Sequence, residues 1–309
     1  MYICQRTIHR EVGCTGIGLH SGRKVSIKLK PANPNEGINF IRADLPERPR
    51  IPATLDSVVD TNHATTLGLN GCCISTVEHI MAAVMAMGID NIDIEVDAEE
   101  VPIMDGSAAP LVFLLKSAGV RNQQAPKRFI LIKKPIIVED GDKRIEIYPS
   151  KNLKINYLIE FNHPMLKKQE YCFTYSDRLF EKEISRARTF GFLHEVEQLK
   201  KNGLALGGSL ANAVVLGDFN VLNPDGLRYS DEFVRHKILD FIGDISLMGM
   251  PIIGHFVAHK SGHTLNHILL NTVRALSGHW VEINLPIRVR SEKKGLPLKS
   301  PAILNTARA

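Results

Sequence analysis

No apolar run in this sequence approaches the length of a membrane span, so no transmembrane segment is expected. The opening residues Met1 to Arg6 also lack the apolar core of a signal peptide. Of the five cysteines, Cys72 and Cys73 are adjacent and none forms a Cys-x-x-Cys pair. That usage makes no disulfide framework, and a reducing cytoplasm is the expected compartment. Zinc-finger spacing and an aromatic-rich RNA-binding signature are both missing. Lys and Arg are scattered, and the net charge of +5 is modest. Nucleic acid is therefore not the expected partner, although an anionic small molecule would suit the charge. The zinc-peptidase pattern His-Glu-x-x-His is absent as well: His194-Glu195-Val196-Glu197-Gln198 fails at its final ligand. Gly16 to Gly22 resembles a phosphate loop only superficially, since the Walker Lys-Ser/Thr is missing.

What is present suits a soluble globular protein of two domains: 309 residues, 44% apolar and 23% charged. Val25 to Lys30 and Ile92 to Asp97 alternate with the period of strands. Met104-Asp105-Gly106-Ser107 turns into a short helix closing near Gly119. The polar stretch Asn122 to Lys127 is the best linker candidate. Beyond it, strands restart at Phe129–Ile132, Ile136–Val138 and, after a turn at Asp140-Gly141-Asp142, Ile145–Tyr148. The expected division is an α+β domain over 1–125 and a second over 126–309. The second carries an inserted lobe near 190–217 and a tail from about 291 that is rich in Lys, Pro and small residues.

Two segments carry candidate chemistry. His236 and Asp240 lie four apart, and Asp244 follows one turn later, so all three share a helix sector opposite most of the apolar side chains. Ser230 is the expected N-cap of that helix. An imidazole and a carboxylate so spaced are zinc-compatible ligands, and equally an ion pair on a solvated face. In the other segment, Ser75-Thr76-Val77-Glu78-His79 opens an apolar run that stops at Gly88, with Ser75 and Glu78 spaced as a capping box. Counting back nine residues from Gly88 reaches His79, and from Gly249 reaches Asp240. Both glycines lead into strand-like segments, which suggests a duplicated fold with a metal between its halves.

Two His and one Asp leave a fourth zinc position open for water, as catalytic sites do. Zinc lowers the pKa of such water to about 7. Glu78 is placed either to take the water's proton or to cap its helix. His263, in Lys260-Ser261-Gly262-His263, reads as a glycine-flanked loop histidine or an ordinary surface one. Asp244 could orient an imidazole and favour its charged form. Arg186-Ala187-Arg188-Thr189-Phe190 could hold anionic or polar substrate groups, or be a solvated basic turn.

Together, Ser75–His79, Met104-Asp105-Gly106-Ser107-Ala108, Ser185–Gly191, His236-Lys237-x-x-Asp240 and Lys260–His263 resemble the UDP-3-O-acyl-N-acetylglucosamine deacetylase family. Those zinc enzymes act in lipid A synthesis of Gram-negative bacteria. The resemblance runs from Gly16-Ile17-Gly18-Leu19-His20 to His263, and the chain beyond about Ile287 matches poorly. It implies two similar α+β domains facing each other around one Zn2+ per chain, with His79, His236 and Asp240 as ligands. It implies Glu78 as general base, His263 as general acid with Asp244 as partner, and Thr189 at the oxyanion. Lys237 and Phe190 are implied substrate contacts, Phe161 an aromatic near uridine, and Lys143 and Lys260 contacts to the diphosphate. The lobe would form an apolar passage for the acyl chain. Ala64 stands where some members carry cysteine. The expectation is a cytoplasmic monomeric amidohydrolase acting on UDP-3-O-acyl-N-acetylglucosamine. Its rivals are a metal-free or structural-zinc module that binds an anionic sugar nucleotide or nucleic acid, and a generic zinc peptidase.

Overall fold

The computed structural model describes residues 3–284, so the tail expected from about 291 lies outside the described residues. Two five-stranded sheets dominate. The first runs Val12–Ile17, Lys24–Pro31, Ile92–Val96, Ile38–Arg42, Arg50–Pro52. The second runs Ile136–Asp140, Lys143–Tyr148, His255–His259, Lys154–Ile159, Gln169–Thr174. Their strand order is the same, and so is their polarity: only the third and fourth neighbours are parallel in each. The architecture is α+β, and the duplication suggested by the two helix–Gly–strand units extends to whole sheets.

Helices occupy matching places. Helix α1 (Glu78–Ala86) precedes the central strand of the first sheet and α2 (Ala109–Ala118) follows it. The single turn α3 (Asp177–Leu179) and helix α4 (Leu193–Lys201) fall within the second half, before its central strand. Helix α5 (Glu232–Ser246) then precedes the central strand there, and α6 (His263–Ala275) follows it. Helices α1 and α5 pack on each other, inside one apolar cluster drawn from both sheets.

Helix α5 is buried nearly all round, which a helix tolerates only when protein covers both faces. Its polar stripe is therefore not a solvated face: His236, Asp240 and Asp244 are buried along with Phe241 and Ile242. The glycine at position 243 permits this packing. A Cβ there would lie 2.1 Å from the Glu78 carbonyl oxygen, so only glycine lets the α1 backbone come so close.

Several local expectations change. Asp231, not Ser230, is the N-cap residue of α5. Helix α1 begins at Glu78, after Val77, and Ser75 Oγ donates instead to the Glu99 carbonyl, so no capping box forms. The polar stretch read as a linker is a strand, Val120–Pro126, antiparallel to Cys4–Ile8. Gln123 shows one reason: its amide donates to the Ala32 carbonyl and accepts from Asn91, so a polar side chain that suggested solvent has protein partners. The 190–217 stretch pairs Phe190–Phe192 in parallel with Val214–Leu216 around α4. It rests on the first half through the amides of Leu206 and Gly207, which donate to the carbonyls of His20 and Leu19.

Among the described residues, no helix is long and apolar enough to cross a membrane.

Candidate metal centre and active site

Packing α1 against α5 brings His79 to His236 and Asp240. Their ligand atoms all lie within 4.8 Å of one another, and all three residues are buried. The Nε2 atoms of His79 and His236 stand 3.4 and 3.2 Å from Asp240 Oδ1. The His236 Nδ1–H donates to the Ala187 carbonyl at 3.0 Å, which leaves Nε2 with its lone pair turned to the cluster. Burial pushes the His236 pKa down to about 3 despite Asp240, so the ring is neutral, as a ligand must be. Burial acts to raise the Asp240 carboxyl, but the Lys237 ammonium, 2.7 Å from Oδ2, helps hold it well below the usual range. Asp240 Oδ1 is nevertheless buried with no hydrogen-bond partner. An ionised oxygen facing two imidazole nitrogens with no donor of its own is costly, and a divalent cation would satisfy it. The donor set fits such a cation.

Around this trio stand three further titratable groups, Glu78, His263 and Asp244. Glu78 is buried, and its Oε2 accepts the backbone N–H of Thr65 at 3.2 Å. Burial raises its pKa, with His263 and His79 opposing. A carboxylate so desolvated is a stronger base than an exposed one. His263 opens α6 after Gly262 rather than lying in a loop. Its Nδ1–H donates to Asp244 Oδ2 at 2.8 Å. Burial lowers the imidazole pKa, but the Asp244 charge and hydrogen bond, aided by Glu78 and Asp240, outweigh it and raise the group to about 9.

The remaining expected residues divide. Lys237 donates to Asp240 Oδ2, one turn onward, at 2.7 Å and lies 5.7 Å above the Phe190 ring. Phe190 stands edge-on to His236, with centroids 6.4 Å apart, and meets Phe161 at 6.0 Å. Thr189 is held by Gly106: its N–H donates to the Gly106 carbonyl at 2.8 Å. The backbone of Gly106 has φ +84°, and a Cβ there would meet the Asn212 oxygen at 2.0 Å. Thr189 and Phe190 line a cavity of about 450 Å³ with the apolar side chains of Leu19, Leu193, Leu199 and Leu210. Lys260 is paired with Asp142 at 2.9 Å and Glu160 at 3.2 Å. Lys143 is exposed at the turn beside Asp142, at the same end of the second sheet as Lys260 and Phe161.

Arg188 corrects the expectation of a basic segment open to anions. It is buried and bidentate to Glu232, with Nε–Oε1 at 2.8 Å and Nη2–Oε2 at 3.1 Å. Only Arg186 of that pair is exposed. The Gly16–Gly22 loop is likewise unavailable to phosphate, because Glu100 already accepts from the N–H groups of His20 and Ser21.

Reading the sequence missed Thr65, Asn266 and Glu232, each of which partners a group described above. Contacts such as Thr65 to Asp244 and Glu232 to Arg188 join distant parts of the chain, so no spacing could reveal them.

Comparison with known proteins points to one family. A family model described as UDP-3-O-acyl N-acetylglycosamine deacetylase matches residues 5–275. A Myxococcus xanthus protein named UDP-3-O-acyl-N-acetylglucosamine deacetylase is 54% identical over 269 residues, 87% of this chain and 86% of that protein. One of the same name from Syntrophus aciditrophicus is 51% identical over 276 residues, covering 89% and 88%. Another from Shewanella pealeana is 52% identical over 281 residues, covering 90% and 92%.

Proposed function

The chain belongs to the UDP-3-O-acyl-N-acetylglucosamine deacetylase family, and from that premise we propose how its own residues carry the reaction. It is a hydrolase that removes the 2-acetamido group of UDP-3-O-acyl-N-acetylglucosamine, releasing acetate and the free amine in lipid A biosynthesis. His79, His236 and Asp240 would hold one Zn2+ per chain, in a cytoplasmic monomer built of domains 1–125 and 126–309. When bound, the ion supplies Lewis-acid polarisation of the carbonyl and lowers the pKa of coordinated water.

Glu78, made more basic by burial, accepts the proton of the attacking water. The Thr189 hydroxyl donates to the oxygen that gains charge as the amide carbon becomes tetrahedral. Protonated His263, oriented through Asp244, gives its Nε2 proton to the departing nitrogen. The C–N bond breaks, and acetate and amine leave. Phe161 packs near the uridine, and Lys143 and Lys260 meet the diphosphate once Lys260 exchanges Asp142 and Glu160 for it. Lys237 sets its ammonium beside the reacting group, and Phe190 walls the sugar from the cavity that takes the acyl chain.

The observation that carries this reading is one buried cluster in which an orphaned carboxylate oxygen faces two imidazoles, flanked by Glu78 and the His263–Asp244 pair. Acetate release from the UDP-acyl sugar, with chelator and with zinc restored, tests it. Loss and recovery of turnover are expected, together with a fall of orders of magnitude in kcat/KM when the acyl chain is removed. Full turnover in chelator, or equal use of the non-acylated sugar, would refute the zinc or the lipid-directed part respectively.

A further inference from the structure

We propose that Thr65 is a positioning residue of this reaction, whose side-chain hydroxyl fixes the Asp244–His263 pair while its backbone fixes Glu78. Thr65 is 2% exposed and belongs to the Val58–Leu69 segment of the first half. Its N–H and its hydroxyl both face the proposed reacting groups. Its N–H donates to Glu78 Oε2 at 3.2 Å, and its carbonyl accepts from Val77 N, just ahead of α1, at 3.3 Å. The hydroxyl donates to Asp244 Oδ1 at 2.7 Å and lies 3.3 Å from His263 Nδ1. One small residue thus touches the base, the acid and the acid's partner, which stand on three different helices.

The Asp244 carboxylate shows what the hydroxyl contributes. Oδ2 accepts from both His263 Nδ1 and Asn266 Nδ2, at 2.8 and 2.7 Å, while Oδ1 accepts from Thr65. With three donors in fixed directions the carboxylate cannot turn, so His263 is held in the tautomer and rotation that leave Nε2 free for the leaving nitrogen. Asn266 is itself fixed by Ser261 Oγ. Removing the hydroxyl frees Oδ1 and lets the pair rotate, while Glu78 keeps its backbone donor. The acid step should suffer, and substrate and metal binding should not.

The proposal rests on the assignment of His263 and Asp244 above, and the test separates the two. Thr65→Val keeps the branched shape and backbone but deletes the hydroxyl; Thr65→Ser keeps the hydroxyl. In the zinc-loaded enzyme, Thr65→Val should lower kcat about tenfold to a hundredfold, the worth of one hydrogen bond to a charged group, with KM within about twofold. Zinc content should not change, and Thr65→Ser should restore most of the rate. In an Asp244→Asn background, Thr65→Val should cost little more, because the hydroxyl acts through Asp244. Equal losses for serine and valine, or an undiminished valine effect in that Asp244→Asn background, would show mere packing and overturn the proposal. A full-rate Asp244→Asn enzyme would instead overturn the acid assignment beneath it.

Discussion

Replacing Gly243 with alanine sets two opposing effects against each other. In a helix interior, Gly→Ala ordinarily stabilises by about 0.5–1 kcal/mol, because glycine loses more backbone freedom on folding. Here the new methyl would stand 2.1 Å from the Glu78 oxygen and 2.8 and 2.9 Å from its carbonyl carbon and Cα. These are backbone atoms of α1, so no side chain can swing aside. Restoring ordinary contact at 3.4 Å requires the helices to part by about 1.3 Å. Overpacking of this kind costs about 1–3 kcal/mol, which exceeds the propensity gain. The metal centre should suffer more than the fold, because His79 lies on one helix and His236 and Asp240 on the other. Ligand positions tolerate errors of only about 0.2 Å. Zinc affinity should fall at least about tenfold and kcat/KM by about a hundredfold, the usual result of a 1 Å misplacement. Thermal melting, competition with a graded chelator and acetate release measure the three quantities. A Gly243→Ala enzyme more stable than wild type, with unaltered zinc affinity and turnover, would refute the claim that this backbone contact sets the site.

Asp240→Ala and His79→Ala should each cut zinc content and activity together; metal analysis of purified variants decides, and full occupancy in both would remove them as ligands. The acid must act protonated, so activity should decline as pH rises through the His263 pKa, which Asp244 and its neighbours raise to about 9 against the pull of burial. Asp244→Asn should move that basic limb of kcat/KM to lower pH, toward the ordinary imidazole value of about 6.5, with zinc content unchanged. Glu232→Ala should destabilise the fold by about 3–5 kcal/mol in denaturant titrations, because it strands the buried Arg188 guanidinium and frees the Arg228 N–H.

Local pattern by itself determined a good deal of this protein. The alternation at Val25–Lys30 and Ile92–Asp97 specified strands, because side chains of period two cannot settle on a helix. Gly88 marked the end of α1, and it takes φ +65° as such an end requires. The spacing His236 to Asp240 put both on one helix stripe whatever surrounded it. Sequence did not determine what that stripe would face. An amphipathic pattern seen in isolation implies water beyond its polar side, whereas here the polar side of α5 meets α1. Only tertiary packing decides that His79, from the other half of the chain, points at Asp240. The same limit hid the fates of Arg188 and Gln123. Each looks solvated until the distant Glu232, Asn91 and Ala32 supply partners. It also hid Thr65, an ordinary hydroxyl in a polar loop. Long-range contacts leave no periodic trace, since nothing in local chain geometry ties the two partners together, and the grouping of Glu78 and His263 with the His79, His236 and Asp240 trio is a product of folding alone.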